Sequence, residues 1–154
     1  MTTLSHYLDP DLICCDLSSR GKKEVLSELG ELLAKAATSP SGKTITTALL
    51  DREQLATTGV GDGVAIPHAK LDGLKDNRVA VGISRAGIAF ESVDGEPVHI
   101  FFALIAPISS AGDHLRILAQ ISRLLKDVDV RNRLIQATSP QALMEVVTEE
   151  DGAS

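Results

Sequence analysis

Tryptophan is absent from this chain, and one tyrosine and three phenylalanines are its only large aromatics. Too few rings are available for the stacking platforms on which single-stranded bases lie. A basic excess is missing too: 15 Lys and Arg face 21 Asp and Glu, for a net charge of -6. That balance leaves no electrostatic footprint for nucleic acid or for an anionic lipid surface. The only two cysteines, Cys14 and Cys15, are adjacent, so there is neither a C-x-x-C spacing nor a disulfide framework. They read as buried apolar thiols in a reducing cytoplasm. The start, Met-Thr-Thr-Leu-Ser-His, lacks the basic region and apolar run of a signal peptide. The longest apolar stretch, 98–108, contains His99 and Pro107 and is far short of a membrane span. A cytoplasmic, soluble protein with no membrane insertion is expected.

What is present is ordinary globular material, 44% apolar and 23% charged over 154 residues, enough for one domain. Residues 20–37 space Val25, Leu26, Leu29, Leu32, Leu33 and Ala36 among charges, which predicts an amphipathic helix. The stretch 38–42, with Pro40 and Gly42, breaks it, and a second helix is expected over 43–56. A glycine-rich loop at 57–63 leads into a short extended segment, 64–66. Val79, Val81 and Ile83 alternate with Ala80, Gly82 and Ser84, a strand with one bulky and one small face. Asp94-Gly95 marks a turn, and 98–106 reads as a strand covered on both faces. Helical spacing returns over 113–126 through Leu115, Leu118, Ile121, Leu124 and Leu125. A short helix starts near Asp129, and Ser139-Pro140 opens a last helix ending near Thr148. The expectation is an α/β fold: a mixed β-sheet with helices on both faces, in a single domain.

Most short motifs in the chain are incomplete. Ser39 to Thr44 ends like a phosphate-binding P-loop, but the first glycine would fall at Ala37 and no strand precedes it. Gly59-Val-Gly61-Asp-Gly63 misplaces the third glycine of a dinucleotide fingerprint. No Gly-x-Ser-x-Gly elbow and no His-Glu-x-x-His pair occurs. A metal site needs three or four placed ligands, and the sequence offers no compact cluster of them.

The informative stretch is 59–70, Gly-Val-Gly-Asp-Gly-Val-Ala-Ile-Pro-His-Ala-Lys. It sets His68 behind a rigid proline, either as a turn-capping side chain or as a nucleophile or base. His114 stands at the start of the helix over 113–126, where free N–H groups favour an anion. Arg52, shortly before the glycine loop, is either an ordinary surface charge or a planar cation suited to phosphate oxygens. Should the three meet, they would supply the parts of phosphoryl transfer to histidine, a reaction that depends on positioning and charge. His99, inside the apolar strand, reads as a packed residue, and His6 as part of a mobile terminus.

Two stretches carry a resemblance. Leu49 to His68, and Phe101 to Pro107 followed by Asp113-His-Leu-Arg-Ile-Leu, are similar to the EIIA domain of the bacterial phosphoenolpyruvate-dependent sugar phosphotransferase system (PTS). The type is the fructose/mannitol class, type two, and within it the nitrogen-regulatory branch, EIIANtr. The similarity runs over 5–149, leaving 1–4 and 150–154 as flexible termini. It implies that His68 accepts the phosphoryl group, that His114 supports it and that Arg52 stabilises it. It implies a donor of the HPr type, or its nitrogen-branch relative NPr. The acceptor would be a regulatory target or, in a sugar-transport role, an EIIB domain. No cofactor and no metal are implied. Family members often carry Gly-Lys after the active histidine where this chain has Ala69-Lys70, and its loop over 107–112 differs in detail.

Overall fold

A computed structural model describes residues 3–36, 40–110 and 112–153. Its strands are β1 (Ile13–Cys14), β2 (Gly59–Gly61), β3 (Val64–Ala65), β4 (His68–Leu71), β5 (Arg78–Ile88) and β6 (Val98–Pro107). Its α-helices are α1 (Lys22–Leu33), α2 (Gly42–Leu55), α3 (Asp113–Leu124), α4 (Val128–Gln136) and α5 (Pro140–Ala153). The sheet runs β1-β5-β6-β3-β2, with β4 also on β6. It is mixed: β5 and β6 are antiparallel, whereas β1 lies parallel to β5, and β3 and β4 parallel to β6.

Alternation along β6 explains the layering. Ile100, Phe102 and Leu104 join one buried cluster with α3, α4 and α5, through Ile117, Ile121, Leu134, Leu143 and Val147. Phe101, Ala103 and Ile105 join the other with α1 and α2, through Val25, Leu26, Leu29, Ile45 and Leu49. Period-2 side chains on the wholly apolar stretch 100–107 of β6 must be covered on both sides, and here they are. The bulky face expected on β5 (Val79, Val81, Ile83) lies in the first cluster. The small face admits Leu17, whose methyl would sit 2.8 Å from any Cβ placed on Gly82.

The caps follow local chemistry. Ser41 Oγ accepts the Thr44 N–H at 3.2 Å, so the Gly-Lys-Thr stretch is merely the first turn of α2. Residues 37–39, the start of that P-loop-like motif and part of the expected break over 38–42, lie outside the described residues. Ser139 Oγ accepts the Ala142 N–H at 3.1 Å, with Pro140 opening α5 as expected. The Asp94-Gly95 turn closes with Gly95 N–H donating to Ser92 O at 2.9 Å.

Several expectations change. Helix α5 passes Thr148 and continues to Ala153, and Asp151 accepts the Ser5 N–H at 2.9 Å. His6 is placed in a 3-10 turn (Leu4–Tyr7), its ring edge-on to Tyr7, and Leu4 beside it is buried. Cys14 and Cys15 are half-buried and unbridged. Cys14, at the end of β1, packs against the cluster that holds α1, and Cys15, just past the strand, against the other one. Three strands too short for a periodic signature, β1, β2 and β4, were absent from the sequence reading, β2 lying inside the expected loop over 57–63. Strand β4 matters for function.

Candidate functional site

Strands β3 and β4 lie end to end along the same edge of β6. Val64 and Ala65 pair with Ile100 and Phe101, and His68 to Leu71 pair with Leu104 to Pro107. Pro67 occupies the break, where it needs no N–H, while its carbonyl accepts the Leu104 N–H at 2.9 Å. His68 therefore opens a strand and does not cap a turn. In register with Leu104, it faces the α3 layer. The glycine loop is a separate device. Gly61, Asp62 and Gly63, all at positive φ, turn the β2–β3 hairpin, and the first two line a different cavity.

His114 is the second residue of α3, which begins directly after Gly112. Its Nδ1 is buried and has no hydrogen-bond partner among the described residues. Arg52 sits in the last turn of α2, and its guanidinium donates to Ala56 O at 2.9 Å. That bond satisfies a carbonyl at the helix end and restricts the side chain there.

The three candidates from distant parts of the chain line one cavity of about 180 Å³, together with Ala69, Lys70, Leu104, Ala106, Leu115 and Leu118. No carboxylate is among these lining residues, although acids outnumber bases by six in the chain. Two permanent cations and two imidazoles against an apolar wall form a site for a small anion. The apolar wall strengthens each electrostatic contact by excluding water.

His68 Nδ1 lies 2.7 Å from Ile66 O. A carbonyl only accepts, so Nδ1 carries the proton and the lone pair is left on Nε2. Burial holds the imidazole of His68 below its ordinary value of 6.5, and the Arg52 charge acts in the same direction. The hydrogen bond to Ile66 and the Glu53 carboxylate oppose it. Burial also lowers His114, reinforced by Lys70 and His68 and opposed by Asp113. Both rings are thus held toward the neutral form, and a neutral ring has a nitrogen able to attack phosphorus.

The other histidines lie apart from this cavity. His99 packs on Gly87 and Gly63, with its Nδ1 2.9 Å from Ser84 O. His6 lines a cleft with Tyr7 and Arg78. Among the described residues no three His, Cys, Asp or Glu side chains gather as metal ligands. Sequence reasoning did not assign a role to Lys70. The signal was its i+2 spacing from His68, which puts both on one strand face once β4 is recognised. Buried Glu53 was missed as well, because nothing in the neighbouring residues marks it.

The family model described as "Phosphoenolpyruvate-dependent sugar phosphotransferase system, EIIA 2" matches residues 6–150. A nitrogen regulatory protein of Bradyrhizobium diazoefficiens is 41% identical over 146 residues, covering 94% of each chain. The fructose-specific EIIABC component of Bacillus subtilis is 32% identical over 148 residues. There the match covers 96% of this chain but 23% of the relative, so the chain spans about a quarter of that protein. Among solved structures, the nitrogen regulatory protein IIA-Ntr of Neisseria meningitidis superposes with a TM-score of 0.87 at 30% identity. That superposition covers 94% of this chain and 98% of the other. No helix among the described residues is long and apolar enough to cross a membrane.

Proposed function

Because the chain belongs to the EIIA 2 family of the phosphoenolpyruvate-dependent sugar phosphotransferase system, we propose that it is a phosphohistidine phosphocarrier whose acceptor is Nε2 of His68. The observation that carries this reading is the meeting of Arg52, His68 and His114 in one small, carboxylate-free cavity. The donor is a phosphorylated carrier of the HPr or NPr type, working in the cytoplasm.

In the transfer, the Nε2 lone pair of His68 attacks phosphorus in line with the donor's phosphorus–nitrogen bond. That bond breaks, and its electron pair returns to the donor's imidazole. Positive charge developing on the His68 ring is met by Ile66 O, which accepts from Nδ1. Negative charge on the three equatorial oxygens is met by Arg52, with His114 as a hydrogen-bond donor and Lys70 as a second cation.

The output is mainly regulatory: partners read whether His68 carries phosphate. Similarity to nitrogen regulatory proteins over nearly their whole length supports this. Phosphorylation adds roughly two negative charges, by analogy with hydroxyl phosphorylation, in a cavity whose lining includes the exposed Leu115. Such a change is enough to reverse the preference of a partner surface. The second reading, a sugar-transport component passing phosphate to an EIIB domain, is favoured by similarity to the fructose-specific Bacillus subtilis component.

The test is to incubate the protein with phosphoenolpyruvate and the upstream carriers and measure acid-labile phosphate. Incorporation of about one phosphate, lost in His68→Ala, is the expected result. Equal labelling of His68→Ala overturns the assignment. Addition of an EIIB domain and sugar separates the two outputs, since sugar phosphorylation at a useful rate favours transport.

A further inference from the structure

Glu53, directly after Arg52 in α2, is only 8% exposed, which a carboxylate tolerates only with partners. On one side its Oε1 lies 3.1 Å from Lys22 Nζ, at the start of α1. The Lys22 ammonium in turn stands 4.8 Å from the centre of the Phe90 ring. On the other side the carboxylate accepts the Thr58 N–H, at 3.0 and 3.1 Å to its two oxygens, and also the Thr58 hydroxyl.

From Thr58 the contacts continue toward the site. Its carbonyl accepts the Ile66 N–H at 3.0 Å, and the Ile66 carbonyl accepts Nδ1–H of His68 at 2.7 Å. An unbroken series of polar contacts thus joins Lys22 to Glu53, Thr58, Ile66 and His68. Each contact ties a different piece of chain: α1, the end of α2, the α2–β2 corner, the end of β3 and the start of β4.

We propose that Glu53 is a positioning residue for phosphoryl acceptance, acting through Thr58 and Ile66 to hold the His68 ring with Nε2 free. The proposal rests on His68 being the acceptor. It accounts for the buried pair better than stability does, because replacing a buried ion pair by apolar groups is often neutral or stabilising. A purely structural pair would leave the ring of His68 undisturbed when replaced in a protein that still folds. It also explains why Glu53 adjoins Arg52. The same helix end then sets both the cation and, through the corner it anchors, the acceptor.

The experiment compares Glu53→Gln, Thr58→Val and Lys22→Arg with the parent in two measurements. The first is the ¹⁵N spectrum of the His68 ring in unphosphorylated protein, which reports the share of the Nδ1–H tautomer. The second is the rate of phosphoryl acceptance per folded molecule. Glu53→Gln is expected to mix the tautomers and slow acceptance by about 10- to 100-fold, the scale of a small misplacement of reacting groups. Thr58→Val is expected to do the same more weakly, and Lys22→Arg, which keeps the ion pair, to retain the parental tautomer. If Glu53→Gln does not fold, Thr58→Val decides. Folded variants with the parental tautomer and rate overturn the proposal, as does a rate loss that merely follows the loss of folded protein. The tautomer reading needs no phosphate. Failure of His68 as acceptor would therefore show in the labelling of His68→Ala and not in this spectrum.

Discussion

The Nδ1 of His68 and the carbonyl oxygen of Ile66 are 2.7 Å apart, across the proline that separates β3 from β4. Pro67 cannot donate to the sheet, yet its carbonyl is held by Leu104, so the chain resumes pairing at His68 in a fixed orientation. The same backbone that mounts the ring also chooses its tautomer.

Arg52 is the permanent cation nearest in sequence to the positioning carboxylate, and it lines the cavity. Replacing it with Ala is expected to slow phosphoryl acceptance by about 10³-fold or more, the range known for arginines in phosphoryl transfer. Its bond to Ala56 O is solvent-exposed, so the stability cost is expected to be about 1 kcal/mol or less. Stopped acceptance kinetics beside thermal melting check both numbers. A parental rate would remove Arg52 from the account.

His114 presents a buried Nδ1, unpartnered among the described residues, near the N-terminus of α3. If its role is to donate a hydrogen bond to the transferring group, His114→Ala loses about 10²-fold in rate. His114→Gln, which keeps a donor, recovers part of that loss. Equal rates for Ala and Gln would point to packing alone.

The lowered titration of His68 gives a signed pH prediction. The neutral ring attacks, so acceptance falls as pH drops through the folded value, and that midpoint lies below 6.5. Arg52→Ala removes one lowering cause and moves the midpoint upward. Stability follows the same direction. The unfolded chain binds protons first as pH falls below 6.5, so stability is lost in the window down to the folded value. Direct titration of the His68 ring by NMR checks it, and a midpoint above 6.5 contradicts it.

Gly59 opens β2 where Ser92 crosses it: a Cβ there would meet Ser92 Cα at 2.9 Å and its side chain at 3.0 Å. Because backbone stands in the way, Gly59→Ala must displace the strand. A loss of about 1–3 kcal/mol, typical of overpacking, is expected in chemical denaturation. An unchanged midpoint would show that the β2 edge yields freely.

How much of this was legible beforehand depended on range. The helices showed through their apolar spacing, and β6 through a run of residues with no polar face. Of the five residues that marked the helix over 113–126, Leu118, Ile121, Leu124 and Leu125 lie in or against the core, whereas Leu115 is exposed and lines the cavity. Arg52, His68 and His114 were named from local motifs and family likeness, and the fold brings them to one cavity. Strand β4 was invisible because four residues cannot display a period, and only pairing with β6 makes them a strand. Glu53 was invisible for a different reason. Its environment is made by Lys22, some thirty positions earlier, and by Thr58 across a corner.

The central claim, that Nε2 of His68 receives the phosphoryl group, is tested most directly by ¹⁵N and ³¹P NMR on the phosphorylated, ring-labelled protein. A phosphorus–nitrogen coupling at Nε2 of His68, with Nδ1 still protonated, is the expected result. Phosphate on Nδ1, on His114 or on no histidine would contradict it.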